Sequence, residues 1–180
     1  MMSYTEVLYI SLPAFAANMA PVVAARVNLW KSIALPIDAN RTLRGRPLLG
    51  KNKTWRGLLT AILAGSCVSG IQYIFSATLA LPAVLAHSLV LTLLWGAYVG
   101  LLCMMGDMIG SALKRAVGID SGRPFVPIDQ IDYVFAFLIG TSYLIGWSLS
   151  SGLFLLTFAF FANLIANVLA YALGIKSTYW

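Results

Sequence analysis

Charged side chains are scarce in this sequence. They make up 10% of its 180 residues, whereas 60% of the residues are hydrophobic. A soluble domain carries roughly 25% charged residues, so the composition excludes an ordinary soluble protein. No charged residue occurs between Gly57 and Gly106 or between Tyr133 and Ile175. Apolar stretches of this length predict membrane-spanning helices, each of which needs about 20 residues.

Histidine and cysteine are almost absent as well. His87 is the only histidine, and its place in an apolar run predicts a helix-end residue rather than a metal ligand. Cys67 and Cys103 also lie in apolar runs, as small core residues do. The sequence therefore offers little for zinc or thiol chemistry.

The apolar runs predict an all-α, polytopic integral membrane protein with five transmembrane helices and two polar segments. A single domain, residues 1–180, is expected, with helices at about residues 7–27, 58–80, 83–117, 132–150 and 153–174. Pro13 and Pro21 lie inside the first helix, where carbonyls without an intrahelical donor need partners in the bundle. Leu81-Pro82 predicts the break between the second and third helices, and Ser150–Gly152 the hinge between the last two.

Basic residues are concentrated in one polar segment. Residues 31–56 contain seven Lys/Arg and one Asp, so their net charge equals the +6 of the whole chain. Basic residues beside a membrane usually set orientation or bind anionic head groups, and no nucleic-acid partner is expected. In a five-helix protein, the polar segments 28–56 and 107–132 and Lys176 fall on one side. The positive-inside rule then predicts an outside amino terminus and a cytoplasmic carboxy terminus in the cell membrane.

Acidic residues cluster in the second polar segment, which holds four of the six. Asp107, Ser111 and Lys114 share one face of the predicted third helix, and Asp129 and Asp132 share a face at the start of the fourth. Carboxylates near Lys and Arg, without a useful His or Cys, favour a hard cation such as Mg²⁺. Magnesium usually enters with a phosphate, which the basic residues would hold.

Purely structural roles for these residues stay open. Asp129 would serve as a helix N-cap, and Asp107 would pair with Lys114 on the same helix. The G-x-x-x-G step at 106–110 would allow another helix to approach closely. Gly118 predicts the end of the third helix.

Two motifs resemble those of the membrane CTP:phosphatidate cytidylyltransferases. Residues 46–57, RPLLGKNKTWRG, resemble that family's proline followed by K-T-x-x-G. The second motif runs S-x-x-K-R from Ser111, then Asp120-x-Gly122, a proline, and D-x-x-D from Asp129. Ile119 replaces a lysine of the bacterial signature, and the H-G-G run before the closing acids is absent. The short length and five predicted helices are closer to the archaeal branch, the CDP-archaeol synthases.

The resemblance implies an enzyme of phospholipid biosynthesis, a CTP-dependent cytidylyltransferase. It would convert 2,3-bis-O-geranylgeranyl-sn-glycerol 1-phosphate to CDP-archaeol and release pyrophosphate. The implied partners are CTP, this isoprenoid glycerol phosphate lipid, Mg²⁺ and the bilayer, whereas the oligomeric state is left unspecified. The expected metal ligands are Asp107, Asp129 and Asp132, which with Lys114 form the catalytic set. The expected nucleotide- and phosphate-binding residues are Arg46, Asn52, Lys53, Thr54, Ser111, Lys114, Arg115 and Arg123.

Other function classes fit the sequence less well. A small transporter or channel predicts charges or broken helices near the middle of the membrane, whereas these charges lie at helix ends. A non-catalytic scaffold that binds anionic lipid would explain the basic segment but not the clustered aspartates. A CDP-alcohol phosphotransferase would need the run D-x-x-D-G-x-x-A-R, which does not occur in the sequence.

Overall fold

The computed structural model of the chain describes residues 2–43, 46–75, 88–120 and 122–175, and the side chains of Leu43 and Arg46 lie outside this description. Within these residues, five helices are long and apolar enough to cross a membrane. They are α1 (Tyr4–Arg26), α2 (Trp55–Ile74), α3 (Leu89–Ala116), α4 (Ile128–Ile145) and α5 (Leu149–Ala172). The predicted all-α class with five transmembrane helices is confirmed.

The first polar segment has more structure than the sequence predicted. It contains a 3-10 turn at Lys31–Ile33 and a short antiparallel pair, β1 (Thr42–Leu43) with β2 (Arg46–Pro47). Pro36 and Thr54 also form an isolated antiparallel bridge. The segment therefore folds back on itself before α2 begins.

The connection between α4 and α5 lies a few residues before its predicted place. α4 ends at Ile145 because Gly146 adopts a left-handed conformation with φ 63°. The side chain of Ser148 then caps α5 by accepting the Ser151 N–H at 3.1 Å. The turn thus occupies residues 146–148, and Ser150–Gly152 belongs to the first turn of α5. The predicted break at Leu81-Pro82 lies outside the described residues.

The end of α3 agrees with the sequence prediction. Gly118 has φ 86°, its N–H donates to the Arg115 carbonyl at 3.0 Å, and the Ile119 N–H donates to the Lys114 carbonyl at 3.0 Å. These two bonds form the Schellman cap that a glycine at this position favours. α3 has 28 residues, or about 42 Å at 1.5 Å per residue. Because the hydrocarbon core is about 30 Å thick, α3 extends beyond it.

Glycines let α3 approach both of its neighbours closely. A Cβ atom at Gly96 would overlap the backbone of α2 at Gly65. On another face, a Cβ at Gly106 would overlap the Asp132 carbonyl and the side chain of Ala136 in α4. The close approach expected from the G-x-x-x-G step is therefore confirmed, with α4 as the partner.

The Tyr9 carbonyl, which Pro13 leaves without a donor inside α1, is bound by a side chain of another helix. Proline has no N–H, so the Tyr9 carbonyl lacks its usual donor within the helix. The Gln72 side chain of α2 supplies one, with Nε2 donating to the Tyr9 oxygen at 2.5 Å. This bond links α1 to α2. All five helices contribute side chains to one buried core, which includes Val7, Ile10, Ala61, Val99, Val134, Phe137 and Leu155.

Candidate active site

The first polar segment fixes Lys53 next to the start of α2. The Ile37 N–H donates to the Lys53 carbonyl at 2.9 Å, and the Trp55 N–H donates to the Leu35 carbonyl at 3.0 Å. Thr54 is the N-cap of α2, and its hydroxyl accepts the Gly57 N–H at 3.1 Å. Backbone bonds at Lys53 and directly after it therefore determine where its side chain starts.

Two side-chain ion pairs occur in the described part of the chain, and both connect separate elements at one end of the bundle. Lys53 Nζ lies 2.5 Å from Asp107 Oδ1 and joins the polar segment to α3. Lys114 Nζ contacts Asp129 Oδ2 and joins α3 to α4. The lysine side chains are 15% and 9% exposed, whereas their carboxylate partners are 30% and 29% exposed. A ligand can thus reach the carboxylates more readily than the lysines.

These contacts exclude both structural roles that the sequence left open for the acids. Asp107 pairs with Lys53 and not with Lys114 on its own helix. Asp129 is not the N-cap of α4, because Pro127 occupies that position. Instead, Asp129 lies in the first turn of α4. Its Oδ2 accepts the Phe125 N–H at 2.9 Å in addition to its bond with Lys114.

Asp132 differs from the other two acids in its surroundings. Its carboxylate packs against Gly110, where a Cβ atom would overlap it. Its Oδ1 accepts the Tyr133 N–H at 2.7 Å, and no ion pair to Asp132 occurs among the described residues. It lies within electrostatic range of Asp107, Asp129 and Lys53. The cluster therefore combines three carboxyl groups with two lysines.

The remaining predicted site residues lie in the first polar segment, on α3 or between α3 and α4, and the side chain of one of them lies outside the described atoms. Arg115 is tied to its own helix end, because Nη1 donates to the Ile119 carbonyl. Ser111 is half-buried on α3, and Asn52 and Arg123 are exposed. The Arg46 side chain lies outside the described part of the structure, although its backbone belongs to β2. The nucleotide-binding roles of these residues stay predictions.

The donor chemistry of the cluster suits Mg²⁺. Among the described residues, no three His, Cys, Asp or Glu side chains form a group that could hold a metal ion. Magnesium does not require such a group, because it is usually held by one or two carboxylates together with substrate phosphates. Mg²⁺ stays a prediction that the oxygen donors support. Asp107, Asp129 and Asp132 do not form such a group in the described part of the structure, so their joint role as its ligands stays a prediction as well.

Comparisons with known proteins agree with the motifs. A family model described as CarS-like CDP-archaeol synthase matches residues 2–180. A CDP-archaeol synthase of Thermococcus kodakarensis is 35% identical over 177 residues, which cover 94% of this chain and 92% of the relative. One of Aeropyrum pernix is 34% identical, with 97% and 91% covered.

A solved structure gives the same result for the fold. It is described as an intramembrane enzyme for archaeal membrane lipid biosynthesis, and it superposes with a TM-score of 0.75 at 29% identity. The alignment covers 92% of this chain and 95% of that one. Sequence, motifs and fold thus agree, and the chain belongs to the CDP-archaeol synthase family.

Proposed function

We propose that this chain transfers the cytidylyl group of CTP to an isoprenoid glycerol phosphate, forming CDP-archaeol. The proposed lipid is 2,3-bis-O-geranylgeranyl-sn-glycerol 1-phosphate, and the second product is pyrophosphate. The observation that carries the proposal is the paired arrangement Lys53–Asp107 and Lys114–Asp129. It places cations and carboxylates from the polar segment, α3 and α4 at one end of the membrane-spanning bundle. Two anionic substrates and a divalent cation need such a mixture of charges.

The reaction needs positioning more than it needs a strong base. A lipid phosphate oxygen attacks the α-phosphorus of CTP, and a new P–O bond forms. The bond from the α-phosphorus to the oxygen that bridges to the β-phosphate breaks, and pyrophosphate leaves with that electron pair. The attacking phosphate is already an anion, so the main barrier is repulsion between two polyanions. Fixed cations such as Lys53 and Lys114 lower that barrier by stabilising the charge that develops.

Nucleotide binding would exchange the partners of the two lysines. In the structure, each lysine neutralises one carboxylate. Phosphate oxygens would draw Lys53 and Lys114 away, and Asp107 and Asp129 would then hold Mg²⁺ together with Asp132. When bound, Mg²⁺ would neutralise phosphate charge and stabilise the leaving pyrophosphate. Ser111, Asn52 and Thr54 are further candidates for contacts to phosphate, ribose or base, and Arg46, Arg115 and Arg123 for contacts to phosphate.

The lipid would reach this cluster from the bilayer, at the cytoplasmic interface. The multi-pass fold supports this location, and the basic residues of segment 28–56 support the orientation with the amino terminus outside. Trp30 and Trp55 are 42% and 52% exposed, and Trp30 directly precedes the exposed Lys31, a composition typical of a membrane interface.

Turnover of a lipid panel tests the proposed substrates. Purified protein with labelled CTP and Mg²⁺ would receive the unsaturated isoprenoid phosphate, its saturated counterpart, a diacyl phosphatidate and the dephosphorylated alcohol. We expect a strict need for the phosphate and graded selection among tails, because apolar shape alone discriminates by about 1–3 kcal/mol. Asp132→Asn should abolish turnover while the melting temperature is retained. Turnover of the alcohol, or indifference to every tail, would contradict the proposal.

A further inference from the structure

We propose that Asp38 is a positioning residue for nucleotide binding. In this proposal, its carboxylate holds the backbone of residues 49–53 so that Lys53 is presented to the charged cluster. The proposal rests on the function proposed above, and it adds a residue that neither motif contains. Asp38 is the only acidic residue in the basic segment 31–56.

The Asp38 carboxylate is buried and bound by backbone N–H groups on both oxygens. The residue is 9% exposed. Oδ1 accepts the Asn40 N–H at 3.0 Å, and Oδ2 accepts the Leu49 N–H at 2.9 Å. Within the described residues, no lysine or arginine forms an ion pair with it. Backbone donors therefore stabilise this buried charge, in the manner of a charge-assisted hydrogen bond.

The bond from the Asn40 N–H to the Asp38 carboxylate stabilises an unusual turn. The Arg41 N–H donates to the Asp38 carbonyl at 2.9 Å, which closes a turn of four residues. Its central residues, Ala39 and Asn40, have φ angles of 50° and 59°. Left-handed backbone is disfavoured for an alanine. The bond from Asn40 to the carboxylate therefore helps to hold this turn.

The other bond ties the turn to the stretch that carries Lys53. Leu49 lies four residues before Lys53, and the Lys53 N–H donates to the Gly50 carbonyl at 3.2 Å. On the other side, Ile37, the neighbour of Asp38, donates its N–H to the Lys53 carbonyl at 2.9 Å. Residues 37 and 38 thus hold both ends of the stretch 49–53, from which the Lys53 side chain extends to Asp107.

Charge and positioning predict opposite effects for Asp38→Asn. The substitution removes a negative charge from a segment proposed to bind a polyanion, so electrostatics alone predicts tighter CTP binding. An asparagine side chain has only one acceptor oxygen. Either the Asn40 or the Leu49 N–H, both of which make part-buried bonds to the carboxylate, would then face the side-chain NH2 group without an acceptor, which destabilises the loop. If positioning dominates, CTP binding weakens.

Steady-state kinetics of the full-length protein in detergent distinguish the two effects. For Asp38→Asn we expect the KM for CTP to rise about tenfold, with the KM for the lipid close to that of the unchanged protein. The matched control is Thr42→Lys, which raises the net charge of the same segment by one from an exposed position and keeps the carboxylate. Its KM for CTP should stay the same or fall.

An unchanged or lower KM for CTP in Asp38→Asn overturns the proposal, as does a loss confined to kcat. If that variant melts early, Asp38→Glu provides the second measurement. It keeps both acceptor oxygens but displaces them by one methylene, so the KM for CTP should again rise while the KM for the lipid is retained, and an unchanged KM for CTP overturns the proposal. Absence of turnover in the unsubstituted protein would contradict the proposed function instead. In that case, amide hydrogen exchange at Leu49 still tests whether the Asp38 carboxylate holds the loop. Exchange should be faster in Asp38→Asn, and unchanged exchange overturns the proposal.

Discussion

At the scale of single residues, Lys51 and Lys53 of the basic segment 31–56 differ in one contact. Lys53 pairs with Asp107, whereas Lys51 is exposed and takes part in neither described ion pair. Lys53→Met should weaken CTP binding about tenfold or more, because it removes a charged donor to a phosphate. The same change leaves Asp107 without its cation, so binding of Mn²⁺ alone should become tighter. Lys51→Met should do neither.

Calorimetry with CTP and spin-resonance titration with Mn²⁺ in the absence of nucleotide measure the two effects separately. Their opposite signs are the signature of partner exchange. Equal, small effects at Lys51 and Lys53 would mean that the loop acts only as an orientation signal. A weaker affinity for Mn²⁺ in Lys53→Met would contradict the exchange, while leaving a direct phosphate contact possible.

Sequence alone located the charged cluster but not its pairing. Helical spacing placed Asp107 and Lys114 on one face, which suggested a bond between them. The structure pairs each with a residue from another element, Lys53 or Asp129. Such contacts depend on how the polar segment and α4 pack against α3. The spacing of residues along one helix carries no information about this packing. Asp38 was missed for the same reason, and its only sequence signal was one acid among seven basic residues.

At the scale of elements, long apolar runs made the five helices predictable, and their ends were less so. Gly118 fixed the end of α3 because its φ and its two backbone bonds belong to one cap motif. The residues 146–152 contain two glycines and three serines, so more than one turn position was compatible with the sequence. The pairing of β1 with β2 had no signal, because each strand has two residues.

The contact between α1 and α2 gives a prediction about stability. Gln72→Leu removes the donor to the partly buried Tyr9 carbonyl, so it should destabilise the protein by about 1–3 kcal/mol. In a Pro13→Ala background, the alanine N–H can bind Tyr9 within α1. The same Gln72→Leu change should then cost much less. Thermal unfolding in detergent of the single and double variants completes this mutant cycle. Additive losses would show that Gln72 and Pro13 act independently.

At the scale of the whole molecule, both ion pairs lie where α1 ends, α2 begins, α3 ends and α4 begins. This arrangement agrees with the expectation that the two polar segments share one side of the membrane. Which side that is rests on the positive-inside rule.

Cysteine labelling tests the side directly. In a background without Cys67 and Cys103, single cysteines near Pro82 and Ser151 should react with a membrane-impermeant reagent in intact cells. Cysteines near Pro47 and Gly122 should react only after the membrane is opened. The reverse pattern would place the charged cluster outside, where CTP is not supplied.

The bond from Gln72 to the Tyr9 carbonyl also has a consequence for how the family diverges. Any other residue at position 13 supplies a backbone N–H that bonds the residue 9 carbonyl within α1. An amide side chain at position 72 then has no acceptor there, and its burial costs free energy. A proline at 13 without a donor at 72 leaves the partly buried Tyr9 oxygen without a hydrogen bond. Neither single change is neutral, so positions 13 and 72 should be substituted together in descent and form a co-varying pair that spans two helices.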